Sequence, residues 1–281
     1  MTMRIFISLL LLIVSSISQA VSIWQVEGKQ TFYIFGTVHM MKPSSYPLPE
    51  VYDHAFNQCD DLWLEVDTTE TSDPSVVTAM QQLMLLPQNK TLSREVSAAN
   101  YSRLQQLAEY AGSSLQPFEQ VKPWMVANIL SVAVMQQQGL QADLGLDSYL
   151  QNKAVQKGIP VHAFETSVWQ LSMLDDAANL DINKYISFAT QDIDQIDQYI
   201  EQLYRYWEIG NPDRLYKIAK LDTYPEIEQR ILTQRNDKWF ATLSQESASQ
   251  THCVAVGTLH LGGKNGLLDQ FKAANYRVTQ L

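Results

Sequence analysis

A tetrapeptide, Gly-Thr-x-His, occurs twice in the chain, as Gly36-Thr37-Val38-His39 and Gly257-Thr258-Leu259-His260, each time at the end of an apolar run. Only five histidines exist in all, at 39, 54, 162, 252 and 260, so two in one repeated context are a strong signal. A strand fixes direction, a glycine after it lets the backbone turn closely, and a His three residues beyond the Gly projects at the sheet edge. Ligand sites of open α/β sheets gather at such strand ends. Two more apolar runs end in carboxylates: Leu62-Trp63-Leu64 delivers Glu65, and Ile159 to Phe164 delivers Glu165. Imidazole nitrogen with carboxylate oxygen suits zinc, manganese, iron or cobalt. A lone strand-end His is more often a hydrogen-bonded structural residue, and that reading is kept for His54, His162 and His252. His162 shares its strand with Glu165. The chain has neither the GxSxG elbow of serine hydrolases nor the HExxH of zinc proteases.

The elements that position these residues follow from the pattern. Ile23–Val26 and Thr31–Phe35 flank Glu27-Gly28-Lys29 as a hairpin, whose second strand runs straight into Gly36. Glu50–Cys59 reads as a short helix and Leu62–Val66 as a buried strand. Pro123 can open a helix, with Met125, Ile129 and Val132 recurring behind it at helical spacing. Ile193, Ile196, Ile200, Leu203 and Trp207 form an apolar stripe, which leaves Asp192, Asp194 and Asp197 on a solvated face. Those aspartates lack the central Gly and terminal Glu of a calcium loop. Strands Cys253–Val256 and Tyr276–Gln280 close the chain. The expected architecture is α/β (α+β): a central sheet with strands from both chain ends, and the helices of 75–155 and 175–245 in a lobe beside it. Residues 21–281 read as a single domain. Strand-end histidines should contribute little to its core.

Acidic residues outnumber basic ones 30 to 20, and no basic stripe occurs, so nucleic acid is not an expected partner. Residues 1–20 combine Arg4, an apolar run from Ile5 to Val14, and small Ser18 and Ala20, the arrangement of a signal peptide cleaved after Ala20. The run is shorter than the ~20 apolar residues of a span. No later stretch is long enough either, so the mature chain is expected to be exported, periplasmic or extracellular, and not membrane-spanning. Export leaves two readings for Cys59 and Cys253: a disulfide joining distant parts of the chain, or two small buried thiols.

The same residues resemble the TraB/PrgY/GumN family, which includes the TIKI proteases of animals. The matching text is Phe35–His39 with Tyr46-Pro-Leu-Pro49, Leu62–Asp67, Pro123-Trp124, Gly145-Leu-Asp147-Ser-Tyr-Leu150, Gly158–Val161, Phe164-Glu165-Thr166, Gln170-Leu171, Arg235-Asn236 and Val256–Gly263. These run in family order over almost the whole mature chain. The resemblance implies a fold related to the erythromycin-esterase and ChaN-like proteins, with both GxxH segments and an acidic residue in the active site. It implies a metal-dependent, peptidase-like hydrolase in which His39, Glu65 and His260 hold a divalent metal (manganese, cobalt or zinc). Glu165 and Arg235 match further family positions and are the catalytic candidates, Arg235 as the stabiliser of a developing oxyanion. The implied substrate is a peptide or another small amide or ester. The alternative is a non-enzymatic haem- or peptide-binding protein on the same fold. ChaN-like relatives bind haem, and 6 Trp, 13 Tyr and 9 Phe could line such a site.

Overall fold

The computed structural model describes residues 21–281; the expected signal segment 1–20 lies outside the described residues. Six strands form one mixed sheet: β1 (Ile23–Glu27), β2 (Thr31–Thr37), β3 (Asp61–Val66), β4 (Val161–Glu165), β5 (Thr251–Gly257) and β6 (Arg277–Gln280). Their spatial order is β4-β3-β5-β2-β1-β6. The expected hairpin is present, with Trp24 opposite Ile34, and β6 adds antiparallel to the outer side of β1. The four strands from β4 to β2 are parallel, with β5 between β3 and β2. Their carboxyl ends therefore share one edge of the sheet.

Alternation along each central strand covers both faces. Phe35, Leu62, Leu64, Cys253 and Ala255 pack on one side with Tyr52, Phe56, Leu146 and Leu150. Phe32, Ile34, Val254 and Val256 pack on the other with Trp239, Leu243, Leu267 and Phe271. Near-continuous apolar runs suit strands buried on both faces. A separate core, built around Leu104, Trp124, Val126, Leu130, Ala177 and Ile186, holds together the helices Ala98–Tyr110, Pro123–Gln137, Ser167–Leu180 and Ile182–Ala189. This is the expected helical lobe, so the α/β reading with a sheet built from both chain ends holds.

Two local expectations differ in detail. The helix Pro123–Gln137 does start at Pro123, but Ile129 is 38% and Val132 41% exposed. Its buried residues are Pro123, Trp124, Met125, Val126, Ala127, Leu130 and Val134, so of the expected stripe only Met125 faces the lobe, which packs against the neighbouring stripe instead. The stripe from Ile193 to Trp207 does face inward, with Ile193, Ile200 and Trp207 buried and Asp194 and Asp197 exposed. Asp192 is half-buried and paired with Lys220. Cys59 and Cys253 form a disulfide across 194 positions, which fastens the turn before β3 to central β5.

Candidate active site

The carboxyl edge of the parallel strands gathers the predicted residues. Glu65 leaves β3 beside β5, and its Oε1 accepts the backbone N–H of Gly257 at 2.7 Å. A Cβ on residue 257 would lie 3.2 Å from that same oxygen, so a larger residue would press the carboxylate aside by a few tenths of an ångström. Glu165 ends β4, and Thr166 then caps the helix Ser167–Leu180 by accepting the Trp169 N–H at 3.2 Å. That cap aims the first turn of the helix back at the sheet, and Gln170 donates to Glu65 Oε2 at 2.9 Å. Opposite lies the helix Gln234–Leu243, which follows a π-helical turn, Gln229–Thr233, and buries Arg235, Asn236 and Trp239.

Arg235 is the hub. Its Nε donates to Glu165 at 2.9 Å and its Nη2 to Glu65 at 2.6 Å and to Glu165 at 2.9 Å. Nη1 donates to the Ile231 carbonyl at 2.9 Å and to His260 Nε2 at 3.0 Å. All five guanidinium N–H groups are thus spent inside the protein. As placed, none is left to meet an oxyanion. The Trp239 ring stacks 4.7 Å from the guanidinium carbon and 4.4 Å from the His260 ring, and its Nε1 donates to Glu165 at 3.1 Å.

The two histidines of the repeat have different surroundings. Their strands are neighbours, with Thr37 level with Gly257, and Thr258 donates its hydroxyl to the Thr37 carbonyl at 3.0 Å. The motifs are offset by one residue in that register, so Thr37 is still strand while Thr258–His260 has entered a 3₁₀ turn. His260 is buried under Trp239. It bonds Asn236 Oδ1 through Nδ1 at 2.7 Å. His39 is 73% exposed at its side chain and bonds Asp147 Oδ2 through Nδ1 at 2.9 Å. Asp147 is brought there by a close backbone contact: a Cβ on Gly145 would lie 2.4 Å from the His39 carbonyl, and the Leu146 N–H donates to the Val38 carbonyl at 3.1 Å. The helix Leu146–Lys157 can therefore start against His39 only from glycine. Thr37 Oγ1 donates to the other Asp147 oxygen at 2.5 Å.

These surroundings put the two imidazoles in opposite states. Burial, with the nearby guanidinium, pushes His260 down to about 3, against the pull of Glu65. It is neutral, with its proton on Nδ1 facing Asn236 and its Nε2 lone pair facing Arg235. The charge and hydrogen bond of Asp147 lift His39 to about 9, so it is protonated at neutral pH. Burial alone would raise Glu65, but its neighbours His260, Arg235 and His39 and the Gly257 N–H outweigh it and hold the carboxyl at about 2. Burial and the charge of Glu65 raise Glu165, which Arg235 opposes.

Whether these residues suit a divalent ion is a question of donors. Each motif histidine has its Nδ1 engaged by an acceptor, Asp147 or Asn236, which is how ligating histidines are oriented to present Nε2. His260 Nε2 lies 3.9 Å from Glu65 Oε1, a spacing that two ligands of one ion can share. The donor chemistry fits. What stands between the donors is Arg235, and among the described residues no three His, Cys, Asp or Glu side chains converge into a ready cage. His54 is in the outer helix Glu50–Asn57. His252 and His162 lie at the other end of the strands, where His252 is buried against Asp61 at 3.0 Å and His162 stacks on Trp63. Asp147, Asn236 and Gln170 are the site residues that motif reasoning left without a role. Asp147 and Asn236 each sit within two residues of a motif glycine or of Arg235, which is the signal that could have found them.

Comparison with known proteins finds relatives along most of the chain. Protein YbaP of Escherichia coli K12 is 25% identical over 245 residues, covering 85% of this chain and 87% of YbaP. Metalloprotease TIKI1 of Danio rerio is 21% identical over 317 residues, covering 91% of this chain and 62% of TIKI1. TIKI1 of Xenopus tropicalis is 29% identical over 89 residues, 31% of this chain and 17% of that protein. The sequence model of the TraB/PrgY/gumN family matches residues 22–280, end to end across the described fold, and the chain belongs to that family.

Proposed function

We propose that the protein is an exported hydrolase of peptides, or of related amides or esters, that works with one divalent ion held by His39, Glu65 and His260. The observation that carries the reading is the paired orientation of the two motif histidines, each gripped at Nδ1, with Nε2 of His260 facing Glu65 Oε1 at 3.9 Å. The distant likeness to TIKI1, itself a metalloprotease by name, supports the metal and the reaction class. A buried disulfide supports export, because such bonds persist in oxidising compartments.

A divalent ion in such a site supplies Lewis acidity to a carbonyl and a more acidic water. The chain's own residues set the rest. Asp147 and Asn236 hold the two rings in one tautomer and orientation. Arg235 and Gln170 keep Glu65 ionised and turned toward His260. The exposed ring of His39 marks the side from which a substrate enters, and buried His260 forms the inner wall. His39 must give up its proton before it can ligate, so metal loading consumes a deprotonated imidazole.

The test is metal analysis of the purified mature protein together with a broad peptide library, run with chelator and with manganese, cobalt or zinc restored. About one ion per chain is expected, with cleavage lost on chelation and absent from the His39→Ala/His260→Ala double variant. Absence of both metal and cleavage in the wild type overturns the reading.

A further inference from the structure

We propose that Arg235 is an internal cation that occupies the seat of the divalent ion, so that the ion enters by displacing the guanidinium from His260. The inference rests on the metal-dependent reading above. Two carboxylates, Glu65 and Glu165, and one neutral imidazole surround a single guanidinium, which leaves the cluster one negative charge in excess. Nη1 takes the His260 Nε2 lone pair, and Nη2 takes Glu65 Oε2. These atoms belong to the two buried donors that a metal would use. One side chain thus caps both at once.

A buried acidic cluster without a cation is costly, because each unpaired charge keeps its full desolvation penalty. A guanidinium fork meets that demand in the absence of metal and keeps the site folded. Glu165 acts as the anchor, gripping Nε and Nη2 from the side away from His260. When an ion arrives, Glu165 can retain the guanidinium while Nη1 yields His260. The Nη1 bond to the Ile231 carbonyl comes from the π-helical turn Gln229–Thr233, and π turns recur at functional sites. The same displacement cost lowers the apparent affinity of every ion by one common factor.

The experiment is calorimetric titration of chelator-treated mature protein with Mn²⁺ and Zn²⁺, comparing wild type, Arg235→Met and Arg235→Gln, with circular dichroism to establish folding. Each folded variant should bind the ion about 5–150-fold more tightly than wild type, the usual range for coupling between two bound species. Adding His260→Ala should abolish the gain. Metal bound by the variants but not by wild type supports the proposal equally. Folded variants that bind no more tightly than a metal-binding wild type overturn it and leave the hydrolase reading standing. No binding by any form removes both. Where loss of the charge unfolds the chain, Arg235→Lys retains a cation but not the fork, and it too should bind more tightly; unchanged affinity in that variant overturns the proposal.

Discussion

Thr258 donates its hydroxyl to the carbonyl of Thr37, so the second residues of the two Gly-Thr-x-His segments are bonded to each other across 221 positions. That bond, with the level pairing of Thr37 and Gly257, makes the candidate site a property of the β2–β5 seam. The strand-end carboxylates and the helix Gln234–Leu243 then close over one side of it only.

Glu65 and Arg235 form a buried ion pair, so removing either charge strands the other. Glu65→Gln should lower unfolding stability by ~3–5 kcal/mol at neutral pH, measured by urea denaturation. The folded carboxyl sits at about 2, below its unfolded value of ~4.3, so its stabilisation is complete above the latter. It is lost as pH falls toward about 2. The gap between wild type and variant should therefore narrow over that window; a gap that stays constant would show that Glu65 is not held ionised by its neighbours.

Asp147 sets the charge of His39. Histidine ring NMR of the wild type should give a titration near 9, and Asp147→Asn should return it toward the ordinary ~6.5. Because the folded value is raised, the contribution to stability is full below ~6.5 and disappears as pH rises through about 9. Exposure of the ring keeps that contribution small. Metal affinity should rise over the same interval as the competing proton leaves, and an affinity that falls from pH 7 to 9 would count against His39 as a ligand.

The two histidines should part company in stability tests. His39→Ala removes an exposed ring and should change the melting temperature little. His260→Ala removes a buried ring that bonds Asn236 and Arg235 and packs on Trp239, and should cost ~2–4 kcal/mol. Equal melting temperatures would contradict the burial of His260.

The Cys59–Cys253 bond closes a loop across 194 positions, for which chain entropy gives ~5 kcal/mol. Thiol titration of the denatured, unreduced protein should find no free thiol. Reduction, or the Cys59→Ala/Cys253→Ala variant, should lower the melting temperature by several degrees.

Much of this site is legible from local pattern. Strand periodicity exposes β2, β3, β4 and β5, and the residues at their ends, His39, Glu65, Glu165 and His260, follow by simple counting. That His260 should be buried and neutral while His39 is exposed and protonated is not legible, because one tetrapeptide encodes both. The difference comes from what crosses each end: Trp239 and Arg235 over one, the start of the helix at Gly145 beside the other. The low contribution expected of both histidines to the core holds only for His39. Arg235 reads as an oxyanion stabiliser when only its charge is known, and as the pin of a carboxylate pair once its five donors are traced. Of the stripe Met125, Ile129, Val132 only Met125 aims inward, since periodicity gives a face without naming the neighbour it meets.

The placement of β5 has a consequence for how the chain is made. It is the fifth strand in sequence and lies between β3 and β2, while its successor β6 reaches back to β1. Until residues 251–257 have been synthesised, β2 and β3 have no shared partner, the cysteine at 59 has nothing to oxidise with, and the second histidine segment does not yet exist. A chain of this topology keeps its central sheet open until β5 has been made, so the parts of the candidate site come together late in synthesis.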